Sequence, residues 1–157
     1  DLLLKNENQP AVLKIMALIV HGKLLMRSGK NALHVLQEVK TMSFEMRELQ
    51  RIIPSMVALL EYEWLTGKAI IENNDIEQAS ALLDRAGIDS EKNEFEFWMK
   101  KTGRQFVPLN ESVEAYDIKS AAKALKAVAH WEKSGCPYEQ ALVLFEGNDD
   151  ENERLLQ

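Results

Sequence analysis

Four side chains in this sequence belong to the types that ligate metals or act as nucleophiles, namely His21, His34, His130 and Cys136. A structural zinc site needs such ligands at short, repeated spacings, and a ligating histidine is usually oriented by a carboxylate in its outer shell. These four residues show neither pattern, and they form no constellation of nucleophile, base and ligand. We therefore expect structural or solvent-facing histidines, no bound metal, no cofactor and no enzymatic activity.

Carboxylates at short spacing raise the separate question of acid–base chemistry. Glu61 and Glu63, like Glu94 and Glu96, stand two residues apart, which places the members of each pair on opposite sides of a helix. Neither pair can form a local acid–base dyad, and we expect most of these carboxylates to face solvent. The sequence also contains no G-x-x-x-x-G-K-[ST] loop, the motif that cradles nucleotide phosphates.

Trp64, Trp98 and Trp131 could line an aromatic cage for a ligand. All three lie on apolar stripes with helical spacing, where a large ring usually fills the gap between packed helices. The core interpretation is therefore favoured for all three rings. Trp131, just ahead of a glycine turn, is expected to be buried in the joint between two helices.

Composition and charge restrict the class of protein. A chain of 157 residues with 46% hydrophobic and 28% charged side chains is expected to form one ordinary soluble domain. The net charge is −6 and the basic residues are dispersed, whereas nucleic-acid binding requires clustered cations. Apolar stretches are too short to cross a bilayer, and a single cysteine favours a reducing, cytosolic compartment. The start at Asp1, with no signal-peptide pattern, is typical of an internal fragment.

Apolar residues recur at helical spacing along almost the whole chain, and glycines mark the ends of the segments. The first helix is predicted from about Pro10 to Ser28, with Gly22 where two helices can approach closely. Pro54 would cost about 3 kcal/mol in a helix interior, so the main third helix is predicted to begin near Ile53 after a short separate turn. Further helices are predicted to restart at Ala32, to close at Gly87, and to run from a cap at Ser90 to a stop at Gly103, followed by a loop over residues 104–112. A sixth helix is predicted from about Ser112 or Ile118 to Ser134, with Ala121, Leu125, Val128 and Trp131 on its apolar face. A seventh is predicted to begin at Pro137, with Ala141, Leu142, Leu144 and Phe145 on its apolar face, and a last one at Asp149 or Asp150.

Three of these helices end in similar short sequences, each closed by a glycine: Gly29, Gly67 or Gly135. Gly29 and Gly67 are 38 residues apart, and Gly67 and Gly135 are 68 residues apart. The second interval is roughly two units of about 34 residues, the period of tetratricopeptide repeats. Each helix pair in such a repeat cannot bury its own apolar face and must stack on the next pair. No segment alternates in the way strands require. We therefore predict an all-α, right-handed stack of about seven or eight helices arranged as antiparallel pairs.

Three segments spread between residues 17 and 144 carry a family resemblance. They are ALIVHGKLLMRSGKNALHVLQEV (Ala17 to Val39), EYEWLTGK (Glu61 to Lys68) and HWEKSGCPYEQALVL (His130 to Leu144), with FWMKKTGR (Phe97 to Arg104) as a weaker fourth. These segments resemble the helical-repeat region of large ATP-binding, LuxR-type bacterial transcriptional regulators. In that family an ATP-binding module precedes the repeats and a DNA-binding helix-turn-helix follows them. The resemblance therefore implies that both of those activities lie outside this chain.

The segment from Cys136 to Glu139 allows either a structural or a binding role. In the structural account Cys136 is buried as a small apolar residue, Pro137 opens a helix, Tyr138 packs back and Glu139 interacts favourably with the helix dipole. The candidate binding or family-motif positions are Glu61, Trp64, Trp98, Trp131, Cys136, Tyr138 and Glu139.

Two function classes follow from these observations. The first is a non-catalytic, effector-sensing module of a transcriptional regulator, which binds a protein, a peptide or a small molecule and makes no direct contact with nucleic acid or membrane. The alternative is a free-standing tetratricopeptide-like scaffold or adaptor.

Overall fold

The computed structural model describes residues 10–86, 89–104 and 121–145, and all regular elements within those ranges are helices. Contacts between Cα atoms divide the chain into two compact units, Asp1–Phe106 and Val107–Gln157. The predicted all-α stack of helix pairs is confirmed for the described residues, whereas the single-domain assignment stays a prediction. The helices are α1 (Ala11–Arg27), α2 (Leu33–Met46), α3 (Leu49–Thr66), α4 (Asn73–Ala86) and α5 (Asp89–Lys101) in the first unit, and α6 (Ala121–Lys133) and α7 (residues 137–145) in the second.

Helix ends agree closely with the glycine signals in the sequence. After α1 the Lys30 N–H donates to the Leu25 carbonyl at 2.9 Å and the Gly29 N–H donates to the Met26 carbonyl at 3.0 Å. This is the Schellman pattern, which requires the left-handed conformation that Gly29 adopts, with φ of 73°. The same pair of hydrogen bonds closes α5 and α6. The predicted stop at Gly87, the loop after Arg104 and the helix from Asp149 or Asp150 lie outside the described residues.

The predicted break before Pro54 is wrong, since α3 is one continuous helix from Leu49 to Thr66. A proline leaves the carbonyl four residues earlier without its helical donor. That carbonyl belongs to Gln50, which is exposed and can be hydrated. Packing around the rest of α3 stabilises the continuous helix enough to offset the lost hydrogen bond. Similarly, α5 begins at Asp89, so Ser90 lies inside the first turn instead of preceding it.

The core of the first unit surrounds α3, which contacts α1, α2, α4 and α5. Helix α3 is buried on every side from Ile52 to Glu63, apart from Pro54. The α1–α2 contact is close at Gly22, as predicted, because a Cβ atom there would lie 2.5 Å from Cδ2 of Leu36. This arrangement, one helix enclosed by four others, is what stacked helix pairs produce.

In the second unit, the buried faces of α6 and α7 differ from the predicted ones. In α6 the buried residues are Ala124 and Ala127, while Leu125 is 68% exposed. Hydrophobicity alone predicts Leu125 on the buried face, whereas the smaller alanine side chains occupy it. In α7 the buried residues are Leu142 and Val143. The prediction that Ala141, Leu144 and Phe145 lie on the buried face is wrong, because all three are exposed.

Among the helices of the described ranges, none has both the length and the apolar character needed to cross a membrane.

Candidate functional site

Two carboxylates near the end of α3 are buried in the middle of the first unit. Glu61 is 0% exposed and Glu63 is 5% exposed. The expectation that they face solvent is therefore wrong. Because α3 is enclosed by other helices, both of its opposite sides lie in the interior, and each carboxylate needs its own cationic or N–H partners to offset desolvation.

Glu61 is neutralised from the side of α1. The Arg27 guanidinium donates to both carboxylate oxygens, from Nε at 2.7 Å and from a terminal nitrogen at 3.1 Å. Nζ of Lys23 lies 4.0 Å from Glu61 and 3.5 Å from Glu94 on α5. Two cations and two carboxylates therefore alternate across α1, α3 and α5. These ion pairs connect the three helices.

Glu63 faces the opposite way and holds the turn between α3 and α4. Its Oε1 accepts hydrogen bonds from the backbone N–H groups of Ile70 at 2.5 Å and Ile71 at 2.6 Å. Arg104, just beyond α5, donates to both oxygens at 2.9 and 2.7 Å and to the Ile71 carbonyl at 3.3 Å. One buried carboxylate thus ties the α3–α4 turn to the residues that follow α5. Both segments are thereby fixed as the walls of a surface cleft.

That cleft is open to solvent and has a volume of about 530 Å³. Its charged lining consists of Lys68, Lys101 and Arg104 against the single carboxylate of Glu63, which leaves a formal charge of +2. Nζ of Lys101 lies 5.7 Å from the centroid of the Trp64 ring. This distance is within the range of a cation–π interaction. The cleft is therefore a basic site with an aromatic wall.

An aromatic cluster supports the wall. Trp64 is half-buried and lines the cleft, and its ring centroid lies 5.7 Å from that of Trp98 at an angle of 60°. Trp98 is only 2% exposed and meets Phe97 edge-on at 5.2 Å. Trp98 is thus a core residue, whereas part of Trp64 remains accessible. The predicted core role is confirmed for Trp98, whereas Trp64 is only half-buried.

The other sequence-predicted positions lie in the second unit. Trp131 is half-buried instead of buried, and its ring meets His130 edge-on with centroids 5.1 Å apart. Cys136, Tyr138 and Glu139 are also half-buried, and the Cys136 thiol lies 3.6 Å from the Ser134 carbonyl. Pro137 opens α7, as predicted. A binding role for these positions stays a prediction.

Within the described ranges, no group of three or more His, Cys, Asp or Glu side chains is arranged to hold a metal ion. His21 lies in α1 and His34 in α2, while His130 lies in α6 of the second unit.

Sequence reasoning missed four residues of the cleft, namely Glu63, Lys68, Lys101 and Arg104. A signal for the buried carboxylates was available: the run from Met56 to Leu60 is apolar on all sides, which is typical of an enclosed helix. A carboxylate one residue later is then expected to need a buried partner. No comparable signal linked the three cations, because they meet only through the stacking of α3 and α5.

No protein-family model, curated protein or solved structure matches the chain.

Proposed function

We propose that this chain is a non-catalytic, effector-sensing module, and that its first unit binds a negatively charged effector in the cleft between the α3–α4 turn and the end of α5. The observation that supports this proposal is the reversal of charge. The whole chain carries −6, whereas the cleft lining carries +2. A basic lining attracts an anionic ligand electrostatically.

The lining also indicates what the effector should look like. Lys68 is exposed, so its ammonium group can contact a carboxylate or a phosphate group, and Lys101 adds positive charge beside the Trp64 ring. Arg104 is already engaged by Glu63 and serves to shape the wall. The Trp64 ring offers an apolar surface for a flat or aliphatic portion beside the charged group. A small organic anion or the acidic end of a peptide has this combination.

The resemblance to the repeat region of LuxR-type regulators supports a role in transcriptional regulation, with ATP-binding and DNA-binding modules outside this chain. Stacked helix pairs suit that role because each pair contacts its neighbours, and a change at one pair can be passed along the stack. Direct DNA contact is not part of the proposal, since the chain is acidic overall.

Titration of the Trp fluorescence with a panel of anionic, neutral and cationic metabolites tests the proposal. Members of the anionic class, such as dicarboxylates and sugar phosphates, should bind and should lose affinity as salt is raised. The double variant Lys68→Ala/Lys101→Gln should weaken that binding by at least about tenfold, since a charge-assisted contact and a neighbouring positive charge are lost.

The matched control is Lys30→Ala, which removes an exposed cation from the turn after α1 and should leave the affinity unchanged. Equal binding of neutral and anionic compounds, or an affinity that the double variant leaves intact, would refute the proposed site.

A further inference from the structure

A second cleft in the first unit lies between α4 and the end of α2, and it shares no lining residue with the basic cleft beside Trp64. Its volume is about 480 Å³. One face of α4 supplies most of its lining: Asn74, Glu77, Gln78, Ala81, Leu82 and Arg85. The cleft therefore follows α4 for about three turns, or roughly 16 Å at 1.5 Å per residue. We call it the α4 groove.

Arg47, on the α2 side of the α4 groove, has a backbone conformation that favours glycine. It follows α2 with φ of 56°, and it is the one non-glycine residue with positive φ in the described ranges. Gly29, Gly67 and Gly135 hold the left-handed position after α1, α3 and α6. A side chain in this conformation brings Cβ close to a carbonyl oxygen, which destabilises the backbone. Helix termination alone would favour glycine at position 47, yet the chain has a guanidinium there.

A second arginine lies at the same end of the α4 groove. Arg85 is in the last turn of α4. Because α4 runs antiparallel to α3, this turn lies beside the start of α3, where α2 has just ended. Both Arg47 and Arg85 are exposed, and within the described ranges neither guanidinium has a hydrogen-bond or ion-pair partner. Glu77, the one carboxylate among the described lining residues, lies about two turns away from Arg85. One end of the groove is therefore positively charged.

The rest of the α4 groove suits an extended peptide backbone. Asn74 and Gln78 are exposed and lie four residues apart, about 6 Å along α4. Every second residue of an extended chain repeats at about 6.6 Å, so the two side-chain amides can hydrogen-bond to backbone groups of alternate residues. Between these amides and the arginines, Ala81 and Leu82 are half-buried and offer apolar surface, with half-buried Phe44 on the α2 side.

We propose that the α4 groove binds a short, extended peptide segment that carries acidic side chains beside apolar ones. Its carboxylates pair with Arg47 and Arg85, since the guanidinium fork matches carboxylate geometry. Its apolar side chains contact Phe44 and Leu82. A groove of roughly 16 Å holds about five extended residues. A compact anion would reach the arginines and leave the amide end empty, which favours a peptide. Neither this groove nor the basic cleft depends on the other.

Fluorescence polarisation with labelled pentapeptides, blocked at both ends, tests the proposal on the 157-residue chain. Each peptide combines three apolar residues with two acidic, two amide or two basic residues. The acidic set should bind, and its affinity should fall as salt is raised. Arg47→Gly should weaken that binding by at least about tenfold, because a charge-assisted contact is lost. The melting temperature of this variant should equal or exceed that of wild type, because glycine adopts the left-handed conformation without strain.

Arg85→Gln, at an exposed helix position, should weaken the binding as well and gives a second test. The control for general charge effects is Lys30→Ala, which removes an exposed cation outside the groove and should leave the affinity unchanged. The double variant Lys68→Ala/Lys101→Gln, which changes the basic cleft, should also bind acidic peptides as wild type does. This variant separates the two sites.

Three results would overturn the α4 groove as a peptide site. They are no binding of any acidic peptide below about 1 mM, equal binding of the amide and acidic sets, and wild-type affinity in both Arg47→Gly and Arg85→Gln. Loss of binding in the Lys68→Ala/Lys101→Gln variant, with the arginine variants unaffected, would place the peptide in the basic cleft instead.

Discussion

Helices α3 and α6 end in similar sequences, with a tryptophan shortly before a glycine in the left-handed conformation, yet they differ in burial. Almost every residue from Ile52 to Glu63 of α3 is buried, including two carboxylates. In α6, Leu125 is exposed and Trp131 only half-buried. Local signals therefore determine where a helix stops. How deeply that helix is buried depends on how many neighbours enclose it, and α3 has four.

The same leucine substitution in both helices gives the largest expected difference. Leu60→Ala should reduce the free energy of unfolding by about 2–5 kcal/mol, because it removes buried methyl groups and leaves a cavity. Leu125→Ala should change it by less than about 0.5 kcal/mol, because the side chain is largely in solvent. Urea denaturation followed by circular dichroism measures both. A large loss of stability in Leu125→Ala would show that α6 is enclosed as α3 is.

The buried charge of α3 provides the second test. Glu61→Gln should destabilise the first unit by about 3 kcal/mol, at the lower end of the range for a broken buried ion pair, because Arg27 and Lys23 keep some access to water. The control is Glu38→Gln, which breaks the exposed pair with Lys14 and should cost less than about 0.5 kcal/mol.

Unfolding of both glutamine variants in urea, at low and at high salt, checks this second expectation. Equal stability of the two variants would mean that the Glu61 cluster contributes no more than a surface pair.

Helix positions and ends could be predicted from the sequence because each depends on residues within one or two turns. Gly22 as a point of close helix approach, Gly29 as a helix stop and Pro137 as a helix start are examples. The buried state of Glu61 and Glu63 could not be predicted from helix spacing, because it depends on cations far away in the sequence. Arg27 lies 34 residues from Glu61, and Arg104 lies 41 residues from Glu63.

The cleft is harder still to predict from the sequence. Trp64 is among the candidate positions, but Lys68, Lys101 and Arg104 have no shared spacing or motif. They line one cleft in the folded chain, where Arg104 is held against the α3–α4 turn by its ion pair with Glu63.

In the second unit a residue predicted to be buried is exposed, which is the reverse of the result for Glu61 and Glu63. The hydrophobicity of Leu125 predicts a buried position, while the buried residues of α6 are Ala124 and Ala127. Side-chain size, in addition to hydrophobicity, decides which face of a helix packs most closely.

Trp131 lies between the two extremes of the comparison and gives the smallest expected loss of stability among the three destabilising variants. A fully buried ring would cost about 3–5 kcal/mol on truncation to alanine, but part of this ring is already in solvent, so Trp131→Ala should cost about 1–2 kcal/mol. The matched variant Trp131→Phe keeps an aromatic ring for the edge-on contact with His130 and should cost less.

Iodide quenching compared between wild type and Trp131→Phe isolates the fluorescence of Trp131, which should be quenched more readily than that of the buried Trp98. If Trp131→Ala costs as much as Leu60→Ala and iodide does not reach the ring, then α6 is enclosed in solution as α3 is, and the contrast between the two helices disappears.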